Sequence, residues 1–322
     1  MSQSTSNTTA FIEATQYSDF ILQNLHDGLL PTAFYRNVSD FGSGTTLNIK
    51  TIGSATIQEI TENEDLTYNP IDTGVVQLSI TDYVGDAWYV TDILRQDGAQ
   101  LEALHAARGQ EAMRAIQENF ETRFLSTMNL GQTAANPNTI NGFSHRFLAS
   151  GTNETLADAD LIDMGLAFDK ANVPMSGRVA IVDPITAAAF GKRSQLTSNL
   201  DAAGPVAQSL VKDGFMKEHK FVTSIYGWDI FTSNRLPTLA SGAAIDGTAT
   251  APTEGGVVNI FMCMADDNCK PGMVAWRQPP KVETGRDRSK KRDEFDQTAR
   301  WGVGVQRTDT LGVIVTNAAL SA

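Results

Sequence analysis

Apolar residues along this chain recur at two different periods. Between residues 43 and 83, Leu47 and Ile49 alternate with Asn48 and Lys50, and Val76, Leu78 and Ile80 alternate with Gln77, Ser79 and Thr81. A period of two puts every second side chain on one face of a strand, so these runs predict a long β-hairpin. Its tip is polar and acidic at Glu62, Asn63, Glu64 and Asp65, with Pro70 following. A two-stranded ribbon is marginal alone in water. It is therefore expected to need a partner surface, which nothing adjacent in sequence supplies.

Residues 92–129 carry the helical period. Leu101, Leu104, Ala112, Ile116, Phe120 and Phe124 recur at steps of three and four, skipping one position at Arg108, with Glu102, Arg114, Glu118 and Arg123 off the stripe. Such a helix would reach about 55 Å, with Gly98 and Gly109 as points where it could bend or begin late. Ahead of the hairpin, a polar arm at 1–10 leads into helical spacing over 18–30, ended by Pro31.

The remainder alternates between the two types. Residues 155–171 predict an amphipathic helix, Val179 to Val182 a buried strand, and Pro184 the start of a short Ala-rich helix. Residues 194–218 are polar and Gly-spaced. Strands are expected over 221–232, turning at Gly227, and over 257–264, separated by an exposed Ala, Gly, Thr and Pro loop at 240–256. From residue 281 the pattern gives a strand, a charged loop and two closing strands around Trp301–Val305 and Leu311–Val315. There is no internal repeat, and the fold class is α+β.

Composition narrows the function. The 322 residues include 25 Lys and Arg against 37 Asp and Glu, a formal charge of −12. Nucleic-acid grip draws on a basic excess, so the mean field here repels phosphate. Charged residues are 19% of the chain, against about 25% in an ordinary soluble domain, as expected if much of the surface faces other protein. Cys263 and Cys269 are too few for a disulfide framework or a four-cysteine zinc site and read as reduced thiols. No secretory signal is seen, and no apolar run approaches the roughly 18 residues of a membrane span, so the chain is expected to be soluble in a reducing cytoplasm.

Catalytic motifs are absent from the sequence. There is no phosphate-binding loop, no G-x-S-x-G elbow, and no H-E-x-x-H among His26, His105, His145 and His219. Gly302-Val303-Gly304 lies inside a strand pattern, where close backbone packing explains it. The expectation is no enzyme, no cofactor and no metal site. Two charged features remain. Arg286, Arg288, Lys290, Lys291 and Arg292 put five basic residues into seven positions, and Glu62, Glu64 and Asp65 form an acidic tip of opposite sign. Both read as unsatisfied within the chain, and between copies they would complement each other, setting register and steering encounter.

The order of arm, hairpin loop and long helix is followed by Lys170-Ala171-Asn172-Val173-Pro174, by Gly177 to Pro184, and by Tyr226-Gly227-Trp228 running to Arg235-Leu236-Pro237. Lys281-Val282-Glu283, Phe295, Arg300 to Val305 and Leu311 to Asn317 close the chain. Over nearly its whole length this resembles the tailed-bacteriophage major capsid proteins with the Hong Kong 97-type fold. The resemblance implies an N-terminal arm (1–42), an extended loop (43–88), a peripheral domain with a spine helix (89–171) joined by return strands (276–322), and an axial domain (172–275). It implies pentamers and hexamers of an icosahedral shell around double-stranded DNA, bound without sequence specificity, in a virion assembled in the bacterial cytoplasm. Because the chain starts almost at the arm, a separate scaffolding protein is expected, with a portal; a decoration protein stays open. The shell is expected to be non-covalent, without a membrane. The alternatives are an encapsulin-like compartment shell and a soluble enzyme with an unrecognised site.

Overall fold

The computed structural model describes residues 30, 32–39, 44–53, 55, 57–60, 62–63, 65, 68–97, 101–191 and 221–319. The helix expected over 18–30 and the polar stretch 194–218 therefore lie outside the described residues. Short strand β1 (Arg36–Asn37) comes first, then β2 (Thr46–Ile52), β3 (Thr73–Ser79) and β4 (Asp82–Thr91). Helices α1 (Asp92–Asp97) and α2 (Leu101–Leu130) follow, then β5 (Thr139–Ile140), β6 (Phe143–Ser144) and β7 (Arg146–Leu148). Helix α3 (Asp158–Lys170), β8 (Arg178–Val182), helix α4 (Pro184–Gly191), β9 (Phe221–Ile225) and β10 (Trp228–Thr232) come next. The chain closes with β11 (Thr238–Leu239), β12 (Gly256–Cys263), β13 (Gly272–Asp287), β14 (Arg292–Val305) and β15 (Leu311–Asn317).

The chain divides into two units. One holds Asp86–Ala115 and Val282–Gln297, and the other Gly28–Gly85, Ile116–Lys281 and Thr298–Ala322. The second unit is built on a mixed sheet ordered β7-β15-β12-β8-β10-β9, with β11 beside β12. Alternation along its central strands sorts side chains into two cores. Val179 and Ile181, Val258, Ile260 and Met262, and Leu311, Val313 and Val315 pack on one face with Phe124, Leu125 and Met128 of α2. Ala180 and Val182, Phe261 and Cys263, and Ile314 pack on the other with Leu161, Met164 and Phe168 of α3. A strand covered on both faces reads as a continuous apolar run, which is why Val179–Val182 is legible as a buried strand. Tyr226 and Gly227 both have positive φ and join Ile225 to its pair Trp228, the geometry of a two-residue hairpin turn.

The predicted hairpin forms. β2 and β3 pair antiparallel, with Leu47 opposite Leu78 and Ile49 opposite Val76. The partner surface the ribbon is expected to need comes, at its base, from far along the same chain, where Leu78 and Ile80 bury against Met273 and Ala275. Gly302 lies directly over this base, and a Cβ on it would sit 2.4 Å from the Ser79 carbonyl oxygen and 2.9 Å from the Ile80 Cα. The Gly302-Val303-Gly304 stretch is thus a close-packing element, as its sequence pattern indicates.

Three boundaries differ from the sequence reading. β4 extends through Asp82–Thr91, where no strand was expected. The long helix is α2 alone, with Gly109 inside it and α1 preceding. β13 begins at Gly272 rather than 281 and carries Pro279 and Pro280 in its interior. In the order β1-β13-β14-β4, β1 pairs with Met273 and Val274, so among the described residues the later part of β13 has no strand on its other edge. Proline, which lacks an N–H, is tolerated there.

Candidate functional site

The exposed part of the hairpin is its far half. Beyond the buried base, Ile52, Ile57, Ile60, Tyr68, Ile71 and Val75 all face solvent, Ile57 and Tyr68 being 94% accessible. Large apolar side chains exposed in such number on one element are the kind of surface that marks a contact site. Gly53 N–H donates to the Asp72 carbonyl at 2.8 Å, continuing the ribbon past the paired strands. Glu62 and Asp65 are exposed at the tip, and Asn63 between them takes a left-handed φ of 69°. Glu64 lies outside the described residues. The sequence reading found the acids but missed the apolar residues, because Ile57, Ile60, Tyr68 and Ile71 follow neither a two- nor a four-residue period.

The basic loop belongs to the other unit, and its description as unsatisfied is corrected for two of its five cations. Arg286 donates to both oxygens of Asp92, at 3.0 and 2.8 Å, and to Asp293 at 2.7 Å. Arg95 reaches the second Asp293 oxygen at 2.8 Å. The hydrogen bonds from Arg286 hold the Asp92 carboxyl below its ordinary range, and Asp92 with Asp293 keeps Arg286 protonated above its own. Arg292 donates to Glu294 through Nε at 2.8 Å and stacks over the Tyr89 ring at 4.5 Å. Asp287 Oδ1 accepts from Ser289 Oγ and from the amides of Ser289 and Lys290, shaping the turn. These contacts, led by the Ser289 hydroxyl, lower the Asp287 pKa. Arg288, Lys290 and Lys291 stay exposed with no ion pair among the described residues. The Arg286–Asp92 contact escaped sequence reasoning because the two lie 194 positions apart.

Near the same loop Trp88 stacks on Phe295 at 5.7 Å and donates Nε1–H to His105 at 3.3 Å. Arg108 lies 5.8 Å over the Trp88 ring and pairs with Asp86 at 2.5 Å. Tyr89, Ile93, Leu94 and Leu104 are exposed around it. The basic turn is therefore held by contacts within its own chain.

His145 is a core residue. Its ring is fully buried and stacks on Phe168 at 5.5 Å. Nδ1 donates to the Asn138 carbonyl at 2.9 Å, while Nε2 has no partner among the described residues. Burial lowers its pKa, so the ring is neutral. Cys263 is a buried free thiol whose pKa burial raises, and Cys269 is a free, partly buried one. Among the described residues no group of His, Cys, Asp or Glu could hold a metal, and no helix is long and apolar enough to cross a membrane.

A family model described as phage capsid protein matches residues 74–316. No curated protein sequence matches the chain. Among solved structures, a chain of Mycobacterium phage Che8 is 16% identical with a TM-score of 0.65, the alignment covering 94% of this chain and 97% of that one. The mature capsid of bacteriophage PhiM1 gives 14% identity and a TM-score of 0.68, covering 96% and 93%. The cyanophage Pam1 capsid gives 15% and 0.67, covering 99% and 98%.

Proposed function

Since the chain belongs to the phage capsid protein family, we propose that it is the major capsid protein whose copies build the head shell of a tailed phage. Its fold is α+β and of the Hong Kong 97 type. The observation that carries assembly is the far half of the hairpin, where six large apolar side chains stand in solvent on a ribbon anchored at its base. Burying such surface is the main driving force of association, and among the described residues nothing covers it.

In this reading residues 1–42 form the arm and 43–88 the extended loop. Residues 89–171 with 276–322 form the peripheral domain, and 172–275 the axial domain. Copies gather as pentamers and hexamers of an icosahedral shell in the virion. The shell is assembled in the host cytoplasm with a separate scaffolding protein and a portal, and it encloses double-stranded DNA that the acidic chain holds without sequence-specific grip. The role is structural rather than catalytic. Between copies, the acidic tip (Glu62, Glu64, Asp65) lies against the basic turn. Arg288, Lys290 and Lys291 carry that contact, since Arg286 and Arg292 are already engaged in-chain. Support comes from opposite sign and from the exposure of Glu62, Asp65, Arg288, Lys290 and Lys291.

Electron microscopy of the size-fractionated protein, expressed with and without neighbouring phage genes, tests this function. Closed shells, or free hexamers and pentamers, are expected. Shells filled with a cargo protein would point to the compartment reading, and a monomer under every condition would refute the assembly reading.

A further inference from the structure

The two cysteines of the chain lie six positions apart, and the fold turns them toward each other. Strand β12 ends on Cys263, which is fully buried in the core that α3 covers, and Cys269 packs against that same core. The chain between them is a tight turn. Cys269 N–H and Lys270 N–H both donate to the Asp266 carbonyl, at 2.9 and 3.2 Å, and Lys270 pairs with Asp267 at 2.7 Å. This turn brings the two thiols into side-chain hydrogen-bond contact.

Neighbouring segments clamp the turn from outside. Cys263 N–H donates to the Thr310 carbonyl at 3.2 Å, and Met264 N–H to the Gly177 carbonyl at 2.7 Å. Arg36 Nη1 donates to Asn268 Oδ1 at 3.1 Å, and Gln306 N–H to the Pro271 carbonyl at 2.7 Å. A pair of reacting groups held in this way has a high effective concentration. The two sulfurs differ in access. Cys263 is enclosed, and burial holds its thiol protonated above the ordinary range, whereas Cys269 is only partly buried. A reagent in solution therefore meets Cys269 first.

We propose that Cys263 and Cys269 are a reversible dithiol site that closes to an intramolecular disulfide on meeting a small-molecule disulfide such as oxidised glutathione. The Cys269 thiolate attacks one glutathione sulfur, forming a mixed disulfide and releasing one glutathione. Cys263 then gives up its proton and attacks Cys269 Sγ. The electron pair of the mixed S–S bond leaves with the second glutathione, which takes the proton. The protein loses two S–H bonds and gains one S–S bond, while one glutathione disulfide is reduced to two glutathiones. A reduced glutathione pool keeps the site open, and loss of that pool lets it close. The inference concerns a single chain and stands apart from the assembly reading.

The full chain is equilibrated with oxidised and reduced glutathione, folded and in urea, and followed by thiol titration and non-reducing peptide mass spectrometry. In the folded parent both thiols should disappear, with Cys263 and Cys269 joined within one chain and no glutathione attached. Dithiothreitol should restore both. The equilibrium constant for closure should be roughly tenfold or more larger in the folded chain than in urea, because the fold holds the pair together. Cys263→Ala should stop at the mixed disulfide, with one glutathione on Cys269. Two thiols surviving in the parent, a glutathione adduct that persists there, cross-links between chains, or equal constants folded and in urea would each overturn the proposal.

Discussion

At Gly302 a side chain has nowhere to go. The Ser79 carbonyl occupies the place of its Cβ, and backbone cannot step aside as a flexible side chain can. Gly302→Ala should cost about 2 kcal/mol, within the range for overpacking, and lower the melting temperature by roughly 5 °C. Gly285→Ala, where a Cβ meets nothing within 4 Å, is the control and should leave the melting temperature within about a degree. His145 supplies a pH dependence. Burial depresses its folded pKa below the ordinary 6.5, against a smaller opposing pull from the Asn138 carbonyl, Asp309 and the Phe143 backbone. The unfolded chain therefore binds the proton more readily, so stability is retained above that ordinary value and lost as pH falls below it toward the folded pKa. The melting temperature of the parent should drop more steeply on acidification than that of His145→Gln, and parallel curves would show that His145 does not contribute. Gly302 was legible in the sequence as a close-packing position, whereas the burial of His145 was not.

At the scale of elements, the hairpin shows where pattern reading works and where it stops. Its base was predicted strand by strand because Leu47, Ile49, Val76 and Leu78 alternate and are buried or partly so. Its tip gave only charge, since side chains that meet another molecule need not follow the period of their own strand. The basic turn was read as free because sequence distance hides Asp92 from Arg286. The intermolecular pairing is tested by charge reversal. Glu62→Lys with Asp65→Lys, or Arg288→Glu with Lys290→Glu, should each slow assembly by roughly tenfold or more, since like charges are then opposed. Light scattering should show recovery when all four changes are combined. Reversals that assemble like the parent, or a combination that recovers nothing, would remove the pairing and leave the shell itself untouched. Ile57→Asp with Ile60→Asp tests the apolar part of the same element. It should abolish closed particles while circular dichroism of the monomer stays unchanged, because both side chains are solvated in the single chain.

For the whole molecule, the sequence was most informative through order. Strand β12, helix α3 and the last strand β15 appear where their periods placed them, while β14 starts at Arg292, well before Trp301, and the double-faced sheet follows from the alternation of Val179–Val182 and Ile260–Cys263 between two cores. β4 and the early start of β13 were missed because one mixes Gly85 and acids into its period and the other carries adjacent prolines. The central claim is that this chain completes its buried surface in a closed shell of identical copies. A cryo-electron microscopy reconstruction of particles formed by the full chain tests it most directly. The account predicts an icosahedral shell of hexamers and pentamers in which Ile57, Ile60, Tyr68 and Ile71 of each hairpin are buried against a neighbouring copy. A reconstruction with those four side chains still in solvent, or a preparation that yields only monomers, would contradict it.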